Sequence, residues 1–111
     1  MSMSYDFSIM IDSGGSEPGV LVCGHSQTWN VKAMYFKAID EERGIRFLNG
    51  MLCETAKPVL RRAILTMQDN PSGFKKLNPG NGSGSYEGAL ETLQILLEWC
   101  LKHPKGYIDI W

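Results

Sequence analysis

The chain alternates apolar and polar residues near both ends, and between those ends its apolar period lengthens to that of helices. In Tyr5-Asp6-Phe7-Ser8-Ile9-Met10-Ile11-Asp12, Tyr5, Phe7, Ile9 and Ile11 fall on one side and Asp6, Ser8 and Asp12 on the other. A period of two predicts a half-buried strand. Residues 13–19, rich in glycine and serine, read as a loop. Val20-Leu21-Val22-Cys23 reads as a short second strand, completing a hairpin. Residues 24–30 read as a connection with two cap candidates, Thr28 and Asn30.

From Val31 the pattern is helical. Val31, Met34, Tyr35, Ala38 and Ile39 share a face opposite Lys32, Lys37, Asp40 and Glu41, and Gly44 is the predicted stop. A second helix is expected to begin between Cys53 and Pro58 and to reach about Gln68. It buries Val59, Leu60, Ala63, Ile64 and Met67, and it tolerates Pro58 only in its first turn, where a missing N–H costs little. Residues 74–77 allow a single helical turn. The last helix, residues 86–103, carries a narrow polar strip of Glu87, Glu91, Gln94, Glu98 and Lys102. So wide an apolar arc predicts a helix covered on most sides, with Leu93, Leu97 and Cys100 inaccessible. Tyr107-Ile108-Asp109-Ile110-Trp111 alternates again. A lone strand cannot satisfy its backbone, so this one is expected to join the hairpin's sheet. The order β-β-α-α-α-β in one domain, residues 1–111, predicts an α+β fold: a small, mostly antiparallel sheet of about three strands with helices packed on one face.

Composition narrows the class. Apolar residues make up 43% and charged residues 21% of 111 positions, which is ordinary for a single globular domain. A net charge of −1 supplies no field toward nucleic acid or anionic membrane, and the pairs Arg61-Arg62 and Lys75-Lys76 are short and isolated. No apolar run approaches a membrane span, and the N-terminus lacks the cationic start and apolar core of a secretory signal. The three cysteines, Cys23, Cys53 and Cys100, then read as reduced thiols in a cytoplasmic protein.

Candidate chemistry is sparse. Leu77-Asn78-Pro79-Gly80-Asn81-Gly82-Ser83-Gly84-Ser85-Tyr86-Glu87-Gly88 concentrates glycine just before the longest helix pattern. A glycine-rich helix entry can present N–H groups to an anion. Here there is no Gly-Lys-Ser/Thr, no Gly-x-Gly-x-x-Gly and no preceding strand, and Glu87 would repel an anion. Ser85 as N-cap explains the segment without a ligand. Cys23, His25, Cys100 and His103 are the residue types of a zinc site, but Cys-x-His and Cys-x-x-His are not its usual spacings. Neither Cys23 nor Cys53 lies in an activating context beside His25. No catalytic residue, metal ligand or cofactor is assigned, and the chain leans away from an enzyme without excluding one. The residues put forward for ligand or partner contact are Asn81, Gly82, Gly84, Ser85 and Tyr86, with Trp29 and Asn30 as a second group.

Several segments resemble a family of short uncharacterised proteins of phage and prophage type. They are Thr28-Trp29-Asn30-Val31 with Met34-Tyr35, Leu48-Asn49-Gly50-Met51, Pro58-Val59-Leu60, and above all the glycine-rich segment running on to Ala89-Leu90. In that family the last reads much like Asn-Pro-Pro-Asn-Gly-Trp-Gly-x-Tyr-Glu-Gly. This chain departs at Gly80, where a second proline is usual, and at Ser83, where an aromatic is usual. The resemblance covers roughly residues 25–110. It implies a small cytosolic protein and brings no catalytic residue. The expected function is that of a small interaction or regulatory protein, phage-encoded and acting on a host or phage macromolecule. The alternative is a binder of a small anionic, nucleotide-like ligand at the glycine-rich loop.

Overall fold

The computed structural model describes residues 4–12, 17–80 and 84–111. Strands β1 (Ser4–Ile11), β2 (Gly19–Thr28) and β3 (Tyr107–Ile110) form one antiparallel sheet in the order β2-β1-β3. Helices α1 (Lys32–Ala38), α2 (Cys53–Asp69), α3 (Pro71–Lys75) and α4 (Tyr86–Lys102) complete a small α+β fold. The C-terminal strand joins the hairpin's sheet, pairing Phe7 with Ile110 and Ile9 with Ile108. Those four side chains and Tyr5 are buried on the face turned to the helices, while Asp6, Cys23 and Ser26 are exposed. The free side of β3 is covered too. Gly50 N–H donates to Ile108 C=O (2.7 Å), Ile108 N–H to Met51 C=O (2.9 Å), and Ile110 N–H to the Asn49 side chain (2.8 Å).

Strand β2 is more than twice as long as its pattern predicts, because Gly24 interrupts the alternation without ending the strand. His25 pairs with Phe7 and Cys23 with Ser8, leaving Gly24 as an extra residue at φ 103°. This bulge flips the side-chain parity: His25 faces the core and Cys23 faces out. A second extra residue, Leu21, lies between the partners of Ile9 and Met10.

Helix α1 stops well short of Gly44. The Asp40 carboxylate accepts from the backbone N–H groups of Glu42 (3.1 Å) and Arg43 (2.7 Å), offering the backbone an alternative to another helical turn. Gly44 instead opens a 3-10 turn, Gly44–Leu48. Pro58 sits in the second turn of α2 rather than the first; it is exposed, as is Glu54, whose carbonyl it leaves without a helical donor. Helices α2 and α4 run antiparallel, with Tyr86 at one end bonded to Met67 and the Cys53 and Cys100 thiols in contact at the other. Burial pushes both thiols up. The polar strip of α4 is exposed as expected, and Leu93 and Cys100 are fully buried. Leu97 is only half-buried and Leu101 is 51% exposed; Leu96 takes the inward place. The apolar arc of α4 is therefore narrower than its composition suggests.

Candidate functional site

The described part of the glycine-rich segment is a helix entry locked to the rest of the fold. The Ser85 hydroxyl accepts from Gly88 N–H (3.0 Å), capping α4, and the Asn78 side chain accepts from Tyr86 N–H (2.8 Å). Tyr86 is 6% exposed, and its hydroxyl donates to Met67 C=O (2.8 Å) at the end of α2. Gly84, at φ 94°, lies against Thr28 and Val31. Asn81 and Gly82 lie outside the described residues.

That contact brings the two predicted groups of site residues together. Thr28 caps the 3-10 turn Trp29–Val31 through a bond from Asn30 N–H to its hydroxyl (3.3 Å). Asn30 is exposed, whereas Trp29 is half-buried with its ring 5.9 Å from that of Tyr5. The Trp29 indole N–H is buried and has no hydrogen-bond partner among the described residues.

Trp29 lines a groove of about 470 Å³ together with Tyr5, Lys32, Phe36, Glu42, Arg43 and Arg46. Three local geometries build it. Lys32 and Phe36 are four apart on α1 and so share a face. Arg43 and Arg46 are three apart across the start of the 3-10 turn, where i and i+3 eclipse. Tyr5 is presented by the central strand β1. The Arg46 guanidinium lies over two rings at once, 5.3 Å from the Tyr5 centroid and 5.7 Å from that of Trp29. A planar cation stacked this way loses mobility before any ligand arrives. Burial pushes the Tyr5 phenol up, and the Arg46 charge opposes part of that shift. Among the described residues Lys32, Arg43 and Arg46 make no ion pair.

Sequence reasoning reached Trp29 but missed Tyr5, Lys32, Phe36, Arg43 and Arg46. The available signal was the spacing of Arg43 and Arg46 around Gly44. A second concavity, about 410 Å³, lies on the outer sheet face along Asp6, Ser8, Cys23 and Trp111, with Asp6 as its charged group. The residues considered for zinc are dispersed: Cys23 is on that outer face, Cys100 is in the core, and His25 is bonded to Thr92 (2.9 Å). Among the described residues no three His, Cys, Asp or Glu side chains gather as a metal set, and no helix is long and apolar enough to cross a membrane.

Compared with protein-family models, with curated proteins and with solved structures, the chain shows no match. The groove therefore has to be read from its own chemistry. It offers the cationic donors of Arg43, Arg46 and Lys32, with Trp29 and Phe36 half-buried in its wall and Tyr5 buried beneath the Arg46 guanidinium. That set holds an anion through charge-assisted hydrogen bonds and an apolar or flat group through ring contact.

Proposed function

We propose that this chain is a small cytosolic interaction protein whose recognition surface is the groove at Tyr5, Trp29 and Arg46, and that it takes an acidic segment of a partner protein. The observation that carries this reading is three cations without carboxylate partners among the described residues, set around aromatic rings. Trp, Tyr and Arg are the residues that most often dominate binding energy at protein interfaces. The groove is flanked by charged, exposed Lys32, Glu42 and Arg43, in the manner of a polar rim around a partly apolar centre. The resemblance to phage-type proteins supports a host or phage macromolecule as the partner.

Calorimetric titration with an acidic peptide containing aromatic residues tests the reading. Binding should weaken by about tenfold or more on Arg46→Ala, and should fall as salt rises. Equal binding by the wild type and Arg46→Ala would remove the groove from the interaction.

The groove's volume favours a second reading, since about 470 Å³ lies in the range of small-ligand pockets. On that reading the anionic ligand sits against Trp29 rather than inside the glycine-rich entry, whose Ser85 and Tyr86 polar atoms are already bonded. A thermal-shift panel of nucleotides and other small phosphates separates the two readings. A shift of several degrees with one compound, abolished by Arg46→Ala, assigns the small ligand.

A further inference from the structure

We infer that the group selected by the groove is a phosphate monoester carried on or beside a flat ring, as in a phosphotyrosine side chain, rather than a carboxylate. The inference rests on the groove being the recognition surface.

Lys32, Arg43 and Arg46 line the groove together with one carboxylate, Glu42, which leaves an excess of two positive charges. A phosphate monoester carries about −1.5 to −2 at neutral pH and balances that excess, whereas a single carboxylate leaves a cation unmatched. Glu42 also limits the anion from the other side. A run of phosphates, as on a nucleic-acid strand, would press further negative charge against it, and the chain's net charge of −1 supplies no compensating field.

A phosphate has three terminal oxygens and so can accept from more cationic donors at once than a two-oxygen carboxylate. Arg46 is held over Tyr5 and Trp29 and donates from Nη1 to Ile110 C=O (3.5 Å), so its remaining donors are oriented in advance. Trp29 and Phe36 border the same groove as the cations, so a ring attached to the phosphate has faces to contact. Free nucleoside monophosphates share this chemistry with phosphotyrosine.

The test uses the full chain and calorimetry at one fixed salt concentration. The probes are phenyl phosphate, inorganic phosphate and phenylacetate, followed by a phosphotyrosine peptide, its unphosphorylated form and adenosine 5′-monophosphate. Phenyl phosphate should bind at least about tenfold tighter than inorganic phosphate, which lacks the ring, and than phenylacetate, which lacks the dianion. Arg46→Lys keeps the charge and removes the fork, and should weaken phenyl phosphate by about tenfold. Because Arg46 also packs on two rings, Arg43→Lys, an exposed position, provides an independent loss without that risk.

Equal affinity for phenyl phosphate and phenylacetate overturns the inference, as does tight phenyl phosphate binding that both arginine variants leave untouched. If the phosphates fail while the acidic peptide still binds in an Arg46-dependent way, the inference falls and the groove reading stands. If that peptide fails as well, both fall. Among the phosphates, preference for the peptide over adenosine 5′-monophosphate assigns a phosphorylated protein; the reverse preference keeps the phosphate-and-ring chemistry and assigns a free nucleotide.

Discussion

Gly84 meets Val31 with no room for a side chain between them: a β-carbon at position 84 would stand 2.8 Å from Val31 Cγ1, and 2.7 Å from Thr28 Cγ2. Its φ of 94° adds a conformation that other residues rarely adopt. This one position joins the entry of α4 to the turn that carries Trp29. Gly84→Ala should therefore destabilise the fold by about 2–4 kcal/mol, through crowding and backbone strain together. Urea denaturation measures it, and a loss below about 1 kcal/mol would show that the contact relaxes freely.

Tyr86 and Ser85 should report on stability alone. Tyr86→Phe removes the donor to Met67 C=O and should cost about 1–2 kcal/mol. Ser85→Ala removes the α4 cap and should cost about 1 kcal/mol. Neither change should alter binding of the acidic peptide in calorimetry. A loss of binding with unchanged denaturation midpoints would return the glycine-rich entry to the site.

On α4, Leu96 and Leu97 should separate sharply. Leu96 is fully buried and Leu97 half-buried. Leu96→Ala should cost about 2–5 kcal/mol, and Leu97→Ala clearly less than its neighbour. Similar losses at the two positions in guanidinium titrations would mean that Leu97 is covered as completely as Leu96.

Acid should weaken the fold through His25. Its ring stacks on Phe7, stands edge-on to Trp99 and bonds the buried Thr92 hydroxyl. Burial lowers its pKa, against an opposing pull from Glu91. The unfolded chain thus takes up this proton at a higher pH than the folded one. The His25 contribution is present above the ordinary histidine pKa of about 6.5 and is lost as pH falls through the lower folded value. Denaturation midpoints at pH 7.5 and pH 5 should differ less in His25→Gln than in the wild type. An equal pH response would place the titrating group elsewhere.

The order of strands and helices and the Ser85 cap were legible because each rests on a local pattern: alternation, helical spacing, a short polar residue before an apolar run. Strand β2 was truncated because Gly24 looks the same in sequence whether it ends a strand or bulges it; only pairing with Phe7 and Ser8 decides. The extent of α1 depended on Asp40, a residue compatible with an exposed helix face until its carboxylate is seen to bond two backbone N–H groups. The groove was the least legible feature. Tyr5, Trp29, Phe36 and Arg46 come from a strand, a helix and two 3-10 turns, and no spacing in the chain announces that they converge.

Strand β1 is central, yet its two neighbours reach it at very different chain distances. Phe7 pairs with His25 across a hairpin and with Ile110 across nearly the whole described chain. The hairpin can close early, while the second pairing must await the loop-closure entropy of everything between. Until then one edge of β1 is open, and Phe7 and Ile9 lack the apolar partners, Ile110 and Ile108, that β3 supplies. A growing chain therefore passes through a stage in which its future core presents a bare strand edge. That stage is where self-pairing between nascent copies would compete with folding, and completing the sheet with β3 ends it.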